Sequence, residues 1–164
     1  DLSKISWLIV HKKPKYLVID VDGCLTTGQM LYSAKGKEYK VFGADDYDAL
    51  TLLQDKLEVL FVSADKRGFD ISKKRVEDMG YKIKFVTSKD RYKELEKLGV
   101  NLKETIYIGD GILDVATFKK VMYSICPSNG FYLTKKEADY VTKHSGGDRC
   151  IAEACIHILR KFFK

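Results

Sequence analysis

The sequence predicts an α/β fold, a parallel sheet covered by helices on both faces. Short apolar runs of strand-forming residues alternate with stretches of helical period, the pattern of βαβ units. Four of those runs also lead into polar side chains of different chemistry, at the strand ends where α/β sheets bind ligands.

The first run, Tyr16-Leu17-Val18-Ile19, ends in Asp20-Val21-Asp22-Gly23-Cys24-Leu25-Thr26-Thr27-Gly28. Two carboxylates two positions apart reach the end of a buried strand before glycine and threonine lead the chain out of the sheet. Met30-Leu31-Tyr32, a loop over 33–38 that contains Gly36, and Tyr39-Lys40-Val41-Phe42 then read as a β-hairpin. An isolated hairpin is marginal in water, and this one carries Met30, Tyr32, Tyr39 and Val41. It is expected to pack on another subunit. Residues 46–56 place Ala49, Leu50, Leu52 and Leu53 at helical spacing, before the strand Val59-Leu60-Phe61-Val62 ending at Ser63. A helix over 69–79 is closed by Gly80. Ile83-Lys84-Phe85-Val86 precedes Lys89, and a helix over 91–98 is closed by Gly99. Thr105-Ile106-Tyr107-Ile108 runs into Gly109-Asp110-Gly111-Ile112-Leu113-Asp114 and a helix over 112–122. Short strands at 124–126 and 140–141 precede a periodic terminal helix over 149–163. Residues 1–14 read as an N-terminal extension or linker and 15–164 as a single domain.

Composition excludes several classes. With 45% hydrophobic and 32% charged residues, the 164-residue chain is a globular domain and not a disordered one. No apolar stretch approaches the roughly 18 residues of a membrane span, and Leu2 to Val10 is too short and too polar for a signal peptide. Cys24, Cys126, Cys150 and Cys155 form no Cys-x-x-Cys pair and no zinc spacing, so a reducing, cytoplasmic setting is expected. The formal charge of +6 suits an anionic substrate. Its lysine runs lack the aromatic interleaving of a nucleic-acid platform, so neither nucleic acid nor membrane is expected as partner. His11, His144 and His157 form no ligand cluster, and His157 within the apolar terminal helix reads as structural. Ser145-Gly146-Gly147 is a place where backbone could approach a ligand or another subunit closely.

A strand-end carboxylate can attack phosphorus and form an acyl-phosphate, and a second carboxylate nearby can pass a proton to the leaving oxygen. Across the four strand ends the chain supplies two carboxylates, a hydroxyl, an ammonium and a further acidic pair. This order resembles the haloacid dehalogenase superfamily of phosphotransferases. The resemblance implies a Rossmann-like sheet with Asp20 as nucleophile and Asp22 as general acid and base. It further implies Ser63 as hydrogen-bond donor to the phosphoryl group and Lys89 as the cation that steadies its charge, with Lys93 a rival one turn later. Mg²⁺ would be held by Asp20, the main-chain carbonyl of Asp22, and Asp110, oxygen ligands of the kind that it prefers. Gly109-Asp110-Gly111 departs from the frequent Gly-Asp-Asp, which leaves Asp114 to orient metal-bound water or Lys89. Ala64-Asp65-Lys66-Arg67 likewise departs from the Gly-Arg common after the hydroxyl, with Lys66 or Arg67 as substitute cations.

The distance from Asp20 to Ser63 leaves room for the hairpin and one helix, so the member is capless. Asp20 to Gly28, the strand 39–42, and Ala138-Asp139-Tyr140-Val141-Thr142 before Ser145-Gly146-Gly147 are similar to one group over residues 15 to about 160. It contains the 3-deoxy-octulosonate 8-phosphate phosphatases, the nonulosonate 9-phosphate phosphatases and the phosphatase-like domains of sialate cytidylyltransferases. The resemblance implies a Mg²⁺-dependent phosphomonoesterase acting on a small anionic sugar phosphate, assembled as a homotetramer through its hairpins. The alternative is a non-catalytic oligomerisation domain of a sialate-type cytidylyltransferase. The loop 43–48 lacks the Arg-Asp-Gly of typical octulosonate enzymes, and the tail before Glu153 lacks their arginine, which leaves the sugar open.

Overall fold

The computed structural model describes residues 12–164. The greater part of the expected N-terminal extension therefore lies outside the described residues. β1 (Tyr16–Asp20) passes through a single turn, Val21–Leu25, into the hairpin strands β2 (Thr26–Ser33) and β3 (Gly36–Phe42). Then follow α1 (Asp46–Thr51), β4 (Glu58–Ser63), α2 (Phe69–Asp78), β5 (Lys82–Phe85) and α3 (Arg91–Lys97). β6 (Thr105–Ile108), α4 (Asp114–Phe118), β7 (Tyr123–Cys126), α5 (Tyr132–Glu137), β8 (Tyr140–Val141) and α6 (Cys150–Phe162) complete the domain.

Six strands form one parallel sheet in the order β5-β4-β1-β6-β7-β8. The chain builds outward from β1 to β5, then returns to the other side of β1 and builds outward to β8. The strand order therefore reverses between β1 and β6, and the crevice beyond their C-terminal ends is the expected ligand site.

Both faces of the sheet are buried, which is why its strands read as continuous apolar runs. Leu17, Ile19, Phe61, Ile106 and Ile108 pack with Leu50 and Leu53, Val76 of α2, and Ile151, Cys155 and Ile158 of α6. Val18, Val62 and Tyr107 point the other way, onto Leu95 of α3 and Phe118 of α4. Asp20 has the parity of Val18 and so faces the α3 and α4 layer.

Several boundaries differ from expectation. The helix expected over 46–56 ends at Thr51, because the Leu52 and Leu53 amides bond back to the carbonyls of Ala49 and Leu50 in a tighter turn. The helix expected over 112–122 begins at Asp114, leaving Ile112 and Leu113 exposed in the loop before it. The hairpin is longer than expected, with a two-residue turn at 34–35 and register shifts within β2. α5 was not anticipated, since its apolar Tyr132 and Leu133 face solvent and give no core period. His157 stacks on Tyr140 at 3.7 Å and bonds the Tyr123 hydroxyl at 2.9 Å, the structural setting expected of it.

α1 and α6 are joined by Asp46, which is 1% exposed and accepts the Ala152 amide at 3.0 Å. Its second oxygen has no partner among the described residues. Burial pushes this carboxyl up to about 6, against the opposing Ala152 hydrogen bond. Because the folded state holds the proton more tightly than the unfolded chain, this stabilisation is complete below about pH 4 and lost as pH rises through about 6. The Tm of Asp46→Asn minus that of wild type should therefore rise between pH 5 and pH 7.5, by on the order of 5 °C. Thermal unfolding of the two proteins across that range checks it.

Candidate active site

The acids that meet at the switch point come from separate elements. Asp20 is the last residue of β1, Asp110 lies in the loop after β6, and Asp114 opens α4. Oxygen atoms of all three lie within 4.8 Å of one another. Asp114 is fully engaged. One oxygen accepts the amides of Asp110 and Gly111 at 3.0 and 2.9 Å, and the other accepts the Tyr107 hydroxyl at 2.6 Å. Asp114 thus ties the loop after β6 into a fixed shape that presents Asp110.

This convergence is electrostatically costly. Burial raises the Asp20 carboxyl well above the usual carboxylate range, Arg91 opposes the rise, and Asp114, Asp110 and Asp22 add to it. Burial, then Asp114, pushes Asp110 up to about 7. A divalent cation among these oxygens would relieve that repulsion, and an all-oxygen set suits a hard ion such as Mg²⁺. The surrounding backbone is shaped to the same end. A Cβ on Gly23 would stand 1.9 Å from an Asp110 oxygen, and Gly23 has φ +88°, so only glycine lets the two loops close on each other. The residues present fit a bound metal.

Arg91 supplies the positive charge. It is the first residue of α3 and 2% exposed, with Nη1 3.0 Å from Asp20, 2.7 Å from the Tyr107 hydroxyl and 3.5 Å from Asp114. Its other nitrogens donate to the carbonyls of Val86 and Thr87, at 3.4 and 3.3 Å. Burial works against its charge, but Tyr107, Asp20 and Asp114 outweigh that and raise its pKa.

Lys89, the cation expected from sequence, does not stand there. Its side chain is exposed, with no ion pair among the described residues, and Lys93 is exposed and pairs with Asp90 at 3.2 Å. The chain passes Asp90 in a left-handed conformation (φ 54°) before α3 begins. This sets the phase of the helix so that Arg91 points inward. An arginine at the start of the helix after β5 was the available signal.

Asp22 and Ser63 meet beside the acid cluster. The Ser63 hydroxyl, fully buried at the end of β4, donates to Asp22 Oδ2 at 3.0 Å and accepts the Asp65 amide at 3.1 Å. The Asp22 carboxylate is directed at Ser63 and at Lys40 of β3, whose Nζ is 2.7 Å from Oδ1. Lys66 and Arg67 are exposed. The lysines that approach this side are Lys37 and Lys40, both from the hairpin and both paired with Asp65. Sequence reading missed them because the hairpin's fold-back over α2 is a tertiary contact.

Two small clefts meet at Asp20, Ser88 and Arg91. One of about 250 Å³ runs toward Asp22, Met30 and Asp65, and one of about 230 Å³ runs past Ile112 and Leu113. A larger groove of about 730 Å³ lies between α1 and α6 and contains none of these acids. Ser145-Gly146-Gly147 approaches the turn after β1 of the same chain. A Cβ on Gly146 would stand 1.9 Å from the Gly23 carbonyl, and the Gly147 amide donates to the Cys24 carbonyl at 3.0 Å.

A family model for haloacid dehalogenase-like hydrolases matches residues 89–154. The 3-deoxy-D-manno-octulosonate 8-phosphate phosphatase of Haemophilus influenzae is 29% identical over 151 residues, covering 89% of this chain and 83% of that protein. The corresponding phosphatase of Moraxella catarrhalis, solved with magnesium, phosphate and KDO, superposes with a TM-score of 0.80. It is 28% identical and the match covers 91% of this chain and 87% of that one. A subfamily III A hydrolase structure of the same superfamily from Legionella pneumophila is 30% identical, with TM-score 0.80 and coverage of 91% and 84%. The chain belongs to the haloacid dehalogenase superfamily, in its capless group of 3-deoxy-octulosonate 8-phosphate phosphatase-like proteins.

Proposed function

We propose that this protein is a Mg²⁺-dependent phosphomonoesterase acting on a small acidic sugar phosphate of the eight- or nine-carbon keto sugar acid type. The observation that carries the reading is the pairing of Asp20 with buried Arg91, next to Asp110 and with Asp22 on the open side of the cleft. The Moraxella relative's magnesium, phosphate and KDO support the same chemistry. A bare oligomerisation domain has no need of such a buried charge cluster.

An Asp20 oxygen attacks phosphorus, forming the aspartyl-phosphate bond as the ester P–O bond breaks. The Asp22 carboxyl gives its proton to the departing alkoxide. Water then attacks the same phosphorus while Asp22 takes its proton. The bond to Asp20 breaks, and inorganic phosphate leaves. Arg91 takes the role expected of Lys89, a fixed cation beside charge held on the phosphoryl oxygens. Ser63 holds Asp22 and borders the phosphoryl site. Asp20 and Asp110, with the Asp22 carbonyl, would hold the metal, whose charge would neutralise nucleophile and phosphoryl oxygens together.

The domain spans 15–164. The four cysteines are buried and free, which supports a reducing, cytoplasmic setting. No helix among the described residues is long and apolar enough to cross a membrane. We further propose a homotetramer built through the hairpin. Met30, Leu31, Tyr32 and Tyr39 are each at least half exposed there, with Leu31 and Tyr39 a cross-strand pair on the face away from Lys40, apolar surface that neighbouring copies would cover.

Steady-state assay of three variants on a panel of sugar phosphates tests the chemistry. Asp20→Asn should abolish turnover, and Arg91→Met should lower kcat/KM by about 10²–10³-fold. Lys89→Met should stay within about twofold, whereas a loss at Lys89 equal to that at Arg91 would return the role to the lysine. Assembly has its own test. Leu31 and Tyr39 face each other across the hairpin, so Leu31→Lys with Tyr39→Glu keeps a compatible cross-strand pair. Light scattering should give a smaller, folded species than the wild-type tetramer.

A further inference from the structure

Lys40 stands in an unusual position for a lysine on a protruding hairpin. Its side chain is 1% exposed. Its Nζ lies 2.7 Å from Asp22 Oδ1, 2.9 Å from Asp65 Oδ2 and 2.8 Å from the Ser72 hydroxyl of α2. An ammonium has three donors, and these three acceptors use all of them. None remains for a substrate. Lys37 also pairs with Asp65, so two lysines and two carboxylates balance in charge. Hydrogen bonds from Lys37 and Lys40 overcome the effect of burial and hold Asp65 at about 2. Asp65 therefore stays ionised and anchors Lys40 from behind. On the other side, Asp22 has one oxygen on Lys40 and the other on Ser63. Its side chain is 35% exposed, and without Lys40 a single hydrogen bond to Ser63 would leave the carboxylate free to rotate into solvent.

We propose that Lys40 is a positioning residue for Asp22. The hairpin reaches back into its own active site and fixes the plane in which the acid–base carboxylate meets the leaving oxygen and the attacking water. This rests on the phosphatase reading above. Lys40 moves no proton itself. Arginine would not replace it, since a planar guanidinium cannot direct three donors at acceptors spread around a point charge.

The test compares wild type with Lys40→Met and with Lys40→Met/Asp65→Asn. Lys40→Met alone leaves two carboxylates against Lys37. The double variant restores the balance of one lysine and one carboxylate and keeps a side-chain oxygen at position 65 as acceptor for Lys37, so it serves where the single variant does not fold. Substrates are a primary alkyl phosphate, whose poor leaving group needs a placed acid, and p-nitrophenyl phosphate, whose leaving group does not. Both variants should lose roughly 100-fold in kcat/KM on the alkyl ester, at the low end of what a placed acid–base contributes. They should lose less than about fivefold on the aryl ester. Acid-quenched aspartyl-phosphate should accumulate with the aryl ester, because water attack also needs Asp22. Equal losses on both esters without accumulation would overturn the proposal, as would wild-type activity in either variant. Wild type that hydrolyses neither ester nor any sugar phosphate of the panel above would overturn the phosphatase reading and this inference with it.

Discussion

The structure of this site depends on the meeting of like charges at the strand-order reversal. Asp20, Asp110 and Asp114 are brought within 4.8 Å of one another in a largely buried crevice, and such a cluster persists only with cations among it. Arg91 is one of them. Tyr107 and the two loop amides that bond Asp114 spread its charge further. What remains uncompensated, at Asp20 and Asp110, marks where a metal belongs. The fold makes this arrangement rigid, because Asp20 ends β1, Tyr107 lies within β6, Arg91 and Asp114 open α3 and α4, and Asp110 sits in a short loop that Asp114 ties down.

Asp22 belongs to a separate charge system with its own logic. Asp22, Asp65, Lys37 and Lys40 form two pairs that balance without any ligand. In the proposed mechanism the carboxylate that attacks, Asp20, is thus set among like charges that call for a metal, and the one that handles the proton, Asp22, is set where lysines already balance it. The two systems adjoin at the turn Val21–Leu25, whose Gly23 allows Asp110 to approach, and share one cleft. The hairpin that carries both lysines also carries the exposed Met30, Leu31, Tyr32 and Tyr39. If subunits assemble through it as proposed, the hairpin links that assembly to the placement of Asp22.

Local patterns made most of the sheet and much of the site legible in the sequence. Val18 and Ile19 leading to Asp20, Val62 leading to Ser63, and Ile108 leading to Asp110 are each short, apolar and punctuated, so strand ends and their side chains are set by chain-local information. Arg91 was not legible, because the inward phase of α3 depends on the left-handed Asp90 and on the depth at which the helix docks. Lys40 was hidden for a different reason. Its strand reads as part of a hairpin expected to pack on another subunit, and only the packing of β3 against Gly68 and Ser72 of the α2 region shows that this side of the strand is buried within its own chain. The exposed Ile112 and Leu113 misled in the opposite sense, extending a helical period into what is a loop at the cleft mouth.

If the carboxylates at the switch point form the proposed metal site, Asp110 is an indispensable ligand of it. Titration calorimetry of metal-free protein with Mg²⁺ at neutral pH tests it without reference to any substrate. Wild type should bind a single Mg²⁺ per chain, and Asp110→Asn, folded to the same extent, should show no binding heat in the same range. Absence of binding to wild type, or equal binding to both proteins, would mean that these carboxylates do not form that site.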